Sequence, residues 1–379
     1  MIEKREKIKV GITHGDFNGI GYEVILKAFK DSKMLELCTP VIYGSKKYSS
    51  AYKSKLKIDD FPFFFIEKPE DADRNKVNLI NCFESQEELS LGEPTPTSGK
   101  AAYLSLNAAV NDLINGKIDC LVTAPINKKN IQSEEFNFPG HTEFLSQKDG
   151  EKKGLMFMIS DKLRVGVVTG HIPLKDVADS ISIEEIEKKL KVMNTTLTRD
   201  FNIRKPKIAV LGLNPHAGDN GLLGGEEQEV IISAIQSVCK KGIVAQGPFP
   251  ADGFFGSTQH TKYDGVLAMY HDQGLIPFKA LSFGEGVNFT AGLSFVRTSP
   301  DHGTGYDIAG LNRADPSSMR KAIYSAIEIS KNRRLNSALE EKALNLEKIK
   351  ENRSRTTPEH RKNRGERRSP NKPTSNVSE

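Results

Sequence analysis

Short apolar, β-branched runs alternate with stretches of helical period through most of the chain, the pattern of parallel strands joined by helical crossovers. Strands are predicted over residues 8–13, 40–44, 77–81, 120–124, 155–159, 165–169, 207–213 and 265–270. Helices are predicted between them. From Gly99 to Asn115 the residues Ala102, Leu106, Ala109 and Leu113 fall near one face. Ser182 and Glu185 have the spacing of a capping box that opens a helix reaching about Arg199. Another helix starts near Gly225 and ends at Lys240-Lys241-Gly242, two cations and a glycine where a helix C-terminus favours them. Residues 286–299 alternate instead, through Val287, Phe289, Ala291, Leu293, Phe295 and Arg297, which predicts antiparallel strand or hairpin. The predicted class is therefore α/β with mixed sheets. Asp315-Pro316 then opens a helix over 318–331, and a charged amphipathic helix follows over 331–350 with Leu335, Leu339, Leu346 and Ile349 on one stripe. After Glu351 apolar residues nearly vanish, so this segment cannot offset the entropy of ordering and is expected to be a disordered tail.

A chain of 379 residues is longer than one hydrophobic core usually serves, which predicts two lobes with a cleft between them. No apolar run is long enough to cross a bilayer. The first residues, Met1 to Lys7, mix both charge signs where a signal peptide needs an apolar stretch, so the expected compartment is the cytoplasm. Cys38, Cys82, Cys120 and Cys239 form neither a CxxC nor a cluster and read as reduced, mostly buried small apolar residues. The net charge of +5 raises the question of a nucleic-acid partner. Between Glu351 and Glu379, however, eight Lys or Arg stand against four Glu, a surplus of four that leaves about +1 for residues 1–350. The body of the chain is nearly neutral.

Three of the eight histidines end apolar strands where the chain turns polar: His171, His216 and His271. In open α/β sheets ligands bind beyond the carboxyl ends of the strands, where such side chains can converge. Three neutral imidazoles with an open position suit a catalytic metal, with zinc, cobalt, manganese and magnesium as candidates and the transition metals favoured by imidazole. The bland alternative for each is a loop hydrogen-bonding group or a capped strand end. Asp252 and Asp272 lie close to this set in sequence and suit a base or a partner that orients a ligand histidine; a solvated loop carboxylate is the alternative.

Gly140-His141-Thr142-Glu143 joins a glycine turn to a helix start, where Thr142 can cap and free N–H groups beside an imidazole suit an anion. Lys279, Asn288 and Arg297 recur at intervals of nine, a set of donors for phosphate and carboxylate, or else solvated surface. Two glycine-rich loops remain, Gly11 to Gly21 and Asp301 to Gly310, and neither has the GxGxxG or GxxxxGK[ST] spacing of a nucleotide motif.

Taken in order, Thr13-His14-Gly15-Asp16 with Gly19-Ile20-Gly21, Val122 to Lys128, Gly140 to Glu143, Thr169 to Leu174, Leu213 to Asp219 and Tyr270 to Pro277 resemble the 4-hydroxythreonine-4-phosphate dehydrogenase family over about residues 8–330. The resemblance implies that His171, His216 and His271 bind a divalent metal and that His141, Thr142, Lys279, Asn288 and Arg297 bind a small phosphorylated hydroxy acid. It also implies an isocitrate and isopropylmalate dehydrogenase-like fold, with two α/β/α lobes, a cleft between them and a homodimer whose subunits share each site. In such relatives a loop similar to His302-Gly303-Thr304 and Asp307 to Gly310 holds NAD or NADP, which explains a cofactor site without GxGxxG. The chain departs from the family at Gly305-Tyr306 and, in the first loop, at Phe17-Asn18 and Tyr22.

On this basis residues 1–130 with 300–331 are assigned to a cofactor lobe, 131–299 to a metal and dimer lobe, and 332–379 to the charged helix and basic tail. The implied reaction is oxidation of 4-phosphohydroxy-L-threonine, with Asp272, Lys279 or Asp252 as base, followed by decarboxylation of the β-keto acid. Rival readings are a dehydrogenase of D-threonate or D-erythronate 4-phosphate, a three-histidine metal hydrolase or lyase, and an RNA-associated protein using the basic tail.

Overall fold

The computed structural model describes residues 7–355 other than Asp59, Lys152, Lys153 and Phe283, with only the backbone described over 344–355. Its strands are β1 (Ile8–Thr13), β2 (Cys38–Gly44), β3 (Phe63–Ile66), β4 (Val77–Asn81), β5 (Cys120–Thr123) and β6 (Leu155–Ile159). Then come β7 (Arg164–Val167), β8 (Lys207–Leu211), β9 (Val244–Phe249), β10 (Gly265–Ala268), β11 (Val287–Ala291) and β12 (Val296–Pro300). They form one mixed sheet in the order β3-β4-β2-β1-β5-β12-β11-β6-β7-β10-β8-β9. The β12-β11, β11-β6 and β6-β7 pairings are antiparallel and the rest parallel. Three reversals in succession make β7, β10, β8 and β9 run opposite to β1 to β5 and β12.

Strands covered on both faces read as continuous apolar runs. Every residue of β2, β5 and β10 is buried accordingly. The two unpredicted strands, β3 and β9, are the edges of the sheet. The Gly247-Pro248 pair inside β9 argues against a strand, and an edge tolerates it because Pro248 falls where the β8 register shifts between Ala209 and Leu211. In β3, Phe64 and Phe65 remain exposed, so the segment lacks the alternation that marks a half-buried strand.

Helix Pro96–Ile114 begins three residues ahead of the periodic pattern, because Thr95 and Ser98 cap it reciprocally and Pro96 occupies its first turn. Ser182 caps helix Ile183–Arg199 through the Glu185 N–H, as its spacing predicts. The helix expected from Gly225 opens instead with a π-helical turn, Glu227–Ile231, before Ile232–Lys240. The two predicted C-terminal helices are one, Ser317–Arg355, since nothing between 330 and 334 stops a helix. The predicted tail lies outside the described residues except for 351–355, which belong to this helix. Among the described residues, those up to Arg333 form one compact unit and those from Arg334 to Arg355 a second. Among the described residues no helix is long and apolar enough to cross a membrane. All four cysteines lie outside any disulfide; Cys38 and Cys120 are buried, whereas Cys239 is exposed.

The first loop is packed from beneath. His14 stacks on Tyr22 with ring centroids 5.1 Å apart, and Phe17 stacks on Tyr48 at 3.9 Å. The departures from the family at Phe17 and Tyr22 thus belong to one aromatic cluster. Burial lowers the His14 imidazole from 6.5 to about 3, so it is neutral. The unfolded chain takes up this proton first, so stability present above pH 6.5 is lost as pH falls toward about 3. The loss from this group between pH 6.5 and 5 is about 2 kcal/mol. Denaturant unfolding at pH 7 and 5 is expected to show a shallower pH dependence in His14→Phe than in wild type; equal dependence contradicts it.

Candidate active site

The exits of β7 and β10 are held in step. The Val168 and Thr169 N–H groups donate to the Ala268 and Met269 carbonyls at 2.9 and 3.1 Å, and the Thr169 hydroxyl donates to Met269 O at 2.8 Å. Gln273, in the first turn of helix His271–Leu281, ties in the third exit. Its amide donates to the Gly212 carbonyl at 2.6 Å, and its side-chain oxygen accepts the Met269 N–H at 2.7 Å. His171 and His271 therefore come together, with ring centroids 5.5 Å apart and planes 43° from parallel. Asp272 lies 2.7 Å from His271 Nδ1; when that nitrogen donates, Nε2 keeps a free lone pair. Partial burial, then the charges of Lys128 and His271, lowers the His171 pKa and favours its neutral form.

His216 is exposed on a left-handed turn over residues 216–220. Among the described residues of one chain, no group of three His, Cys, Asp or Glu side chains converges on an ion.

All five residues expected to bind substrate, His141, Thr142, Lys279, Asn288 and Arg297, line a single cavity of about 310 Å3. His171, His302 and Gly303 line it too. Arg297 is buried on β12 and donates to the Thr123 hydroxyl at 3.1 and 2.6 Å and to the Thr290 hydroxyl at 3.0 Å. Desolvation lowers its pKa from 12.5 to about 10, with Glu143 opposing, so it is a cation at neutral pH. Burial, then the positive charges of Arg297 and Lys128, holds the His141 imidazole well below its ordinary range. His141 Nε2, Asn288 Oδ1 and His302 Nε2 are buried without a hydrogen-bond partner in the described protein. Unmet polar atoms beside buried positive charge suit a polar, anionic ligand.

Thr142 does not cap. Gly140 is the N-cap of helix His141–Lys148, and no side chain satisfies its first turn. Lys128, Glu143 and Asp301 also line the cavity and were not singled out from the sequence. Asp301 directly precedes His302, and its Oδ1 lies 3.4 Å from Lys279 Nζ. Burial raises its carboxyl above 3.8, opposed by Lys279.

Asp252 and Asp272 line a separate groove with Tyr270 and Gln273. The exposed Asp252 is therefore not brought into the cleft with Lys279. Thr304 and Asp307 are not among the cavity-lining residues either. The Thr304 carbonyl accepts the Ile20 N–H at 2.8 Å, and Gly19 packs so closely against it that a Cβ would collide. Asp16 ties the two glycine loops together. Its buried carboxylate accepts from Ser98 Oγ, Asn130 Nδ2 and Tyr306 OH at 2.9, 2.7 and 2.8 Å.

A mixed α/β sheet whose strand exits carry paired imidazoles beside a cation-rich cavity defines an enzyme of small anionic substrates. The chain belongs to the family of the pyridoxal phosphate biosynthetic protein PdxA, whose model matches residues 36–326. It is similar to the 4-hydroxythreonine-4-phosphate dehydrogenase of Bacteroides thetaiotaomicron, 51% identical over 87% of this chain and 91% of that one. The Klebsiella pneumoniae 4-hydroxythreonine-4-phosphate dehydrogenase crystal structure is 34% identical with a TM-score of 0.75, covering 86% of this chain and 99% of that one. A relative from Oceanobacillus iheyensis, provisionally named a D-threonate 4-phosphate dehydrogenase, is 40% identical over 85% of this chain and 97% of that one. The chain is an oxidoreductase of the dehydrogenase type, which implies a nicotinamide cofactor.

Proposed function

We propose that this enzyme oxidises 4-phosphohydroxy-L-threonine to a β-keto acid that decarboxylates to 3-amino-2-oxopropyl phosphate, the pyridoxal phosphate biosynthetic step its relatives are named for. The observation that carries this reading is the convergence of His141, Thr142, Lys279, Asn288 and Arg297 on one cavity. Arg297, with the first turn at Thr142, anchors the phosphate, while His141 and Asn288 fix its orientation. Of the candidate bases, Lys279 lines the cavity, and its amine, once neutral, takes the hydroxyl proton to become ammonium, with the Asp301 carboxylate beside its Nζ. Asp272 holds the His271 ring. His302 and Gly303 would hold the nicotinamide cofactor, NAD or NADP, which when bound would supply the hydride acceptor.

The donor set fits a divalent metal, since His171 is held toward the neutral form and lies in ring contact with His271. His171, His271 and His216 would hold it, and a bound zinc, cobalt, manganese or magnesium ion supplies a Lewis acid that lowers the pKa of the alcohol. His216 completes the set across a homodimer. In support, Leu174, Leu222 and Ile276 are 73, 78 and 65% exposed within six residues of the three histidines, large apolar side chains available for a second copy to cover. The lobes are those of residues 1–130 with 300–331 and 131–299, and the compartment is the cytoplasm.

Turnover of 4-phosphohydroxy-L-threonine, D-threonate 4-phosphate and D-erythronate 4-phosphate with NAD or NADP and metal tests the assignment. The first is expected to have the highest kcat/KM by at least about tenfold. No activity on it, with turnover of a sugar-acid phosphate, overturns the substrate; metal-dependent cleavage without cofactor reduction overturns the reaction class.

A further inference from the structure

We infer that Glu227 is the positioning residue for His216, its buried carboxylate gripping both sides of the turn that presents the imidazole. The inference rests on the proposed role of His216 as a metal ligand. Residues His216, Ala217, Gly218, Asp219 and Asn220 have φ of 53, 52, 79, 41 and 55°, five left-handed residues in succession of which only one is glycine. L-residues enter that region singly and at a cost, so a run of them persists only where its surroundings hold it.

Glu227 provides the hold. It is 1% exposed, and its Oε1 accepts the Leu213 and Asn214 N–H groups, each at 2.7 Å. Its Oε2 accepts Asn214 Nδ2 at 3.0 Å. These bonds fix the chain just before Pro215-His216. On the far side, a Cβ built at Gly218 would lie 2.6 Å from Glu227 Oε2, so the same carboxylate packs against the turn after His216. The carbonyls of Asn214 and Gly218 close the turn by accepting from Ala217 and Leu223 N–H, both at 3.1 Å. Glu227 itself begins the π-helical turn, an irregularity often found where a helix serves a functional site.

The test is titration with Co2+ of wild type, Glu227→Gln, Gly218→Ala and His216→Ala, following both affinity and the visible Co2+ spectrum. In Glu227→Gln the amide oxygen can keep the two backbone N–H bonds, but an NH2 then faces Asn214 Nδ2. In Gly218→Ala the new methyl collides with the carboxylate. Both are expected to weaken Co2+ binding about 10- to 100-fold and to shift its spectrum toward that of His216→Ala. A purely structural role predicts a lowered Tm with unchanged spectrum. Should Glu227→Gln fail to fold, Gly218→Ala carries the same test. If His216→Ala loses Co2+ while the Glu227 and Gly218 variants bind it with wild-type affinity and spectrum, the positioning role is overturned and the metal assignment stands. If His216→Ala binds Co2+ as wild type does, the metal assignment fails and the inference with it.

Discussion

Arg297→Met is expected to lose about 1,000-fold in kcat/KM while its Tm stays at or above that of wild type. The guanidinium is 2% exposed and its hydrogen bonds go to the neutral hydroxyls of Thr123 and Thr290. Holding it charged there lowers its pKa from 12.5 to about 10, which corresponds to about 3 kcal/mol of fold destabilisation at neutral pH. On the proposed reading the charge is kept for the substrate anion it would bind. A methionine of similar reach fills the volume without the desolvation penalty. The substrate anion loses its buried partner, a loss of several kcal/mol that bound cofactor does not restore. Arg297→Lys keeps the charge but not the planar fork and is expected to fall between the two. Steady-state kinetics with thermal unfolding decide the matter. Full activity in Arg297→Met, or a collapse of Tm to match the lost activity, removes the anchor role.

The second large effect is expected for His216→Ala, with turnover and bound metal falling by about three orders of magnitude and stability changing by less than about 1 kcal/mol. An exposed ring on a loop contributes little to the core, so its removal separates chemistry from folding. Mixing then tests the homodimer. His216→Ala and His171→Ala, each inactive, are expected to regain about a quarter of wild-type activity when unfolded and refolded together. Half the dimers are then mixed, and each mixed dimer has one intact site of two when the site takes these residues from different chains. If both ligands come from one chain, no mixed dimer is whole and no activity returns.

Much of the architecture is legible in the order of residues, because strands covered on both faces leave a plain mark. The runs at β1, β4 and β6 coincide with their predicted bounds, and the antiparallel pair β11 and β12 follows from the alternation after Gly286. Edges are less legible. Gly247-Pro248 in β9 and the exposed Phe64 and Phe65 in β3 violate rules written for interior strands, and only pairing with β8 and β4 rescues them. Helix ends depend on one or two bonds, so Thr142 looks like a cap while Gly140 occupies that place.

The order of residues by itself determined which side chains are on offer: imidazoles after three strands, donors at His141, Thr142, Lys279, Asn288 and Arg297, and a glycine loop at His302-Gly303. Residue type and local period are enough for that, because they act over a few positions. Tertiary structure alone decided which groups share a space. It drew Lys128, Glu143 and Asp301 into the cavity, left Asp252 in another groove, and joined His171 to His271. Distances between groups a hundred residues apart are fixed by strand pairing and by side chains such as Thr169 and Gln273 that bridge distant segments, and no local pattern encodes them.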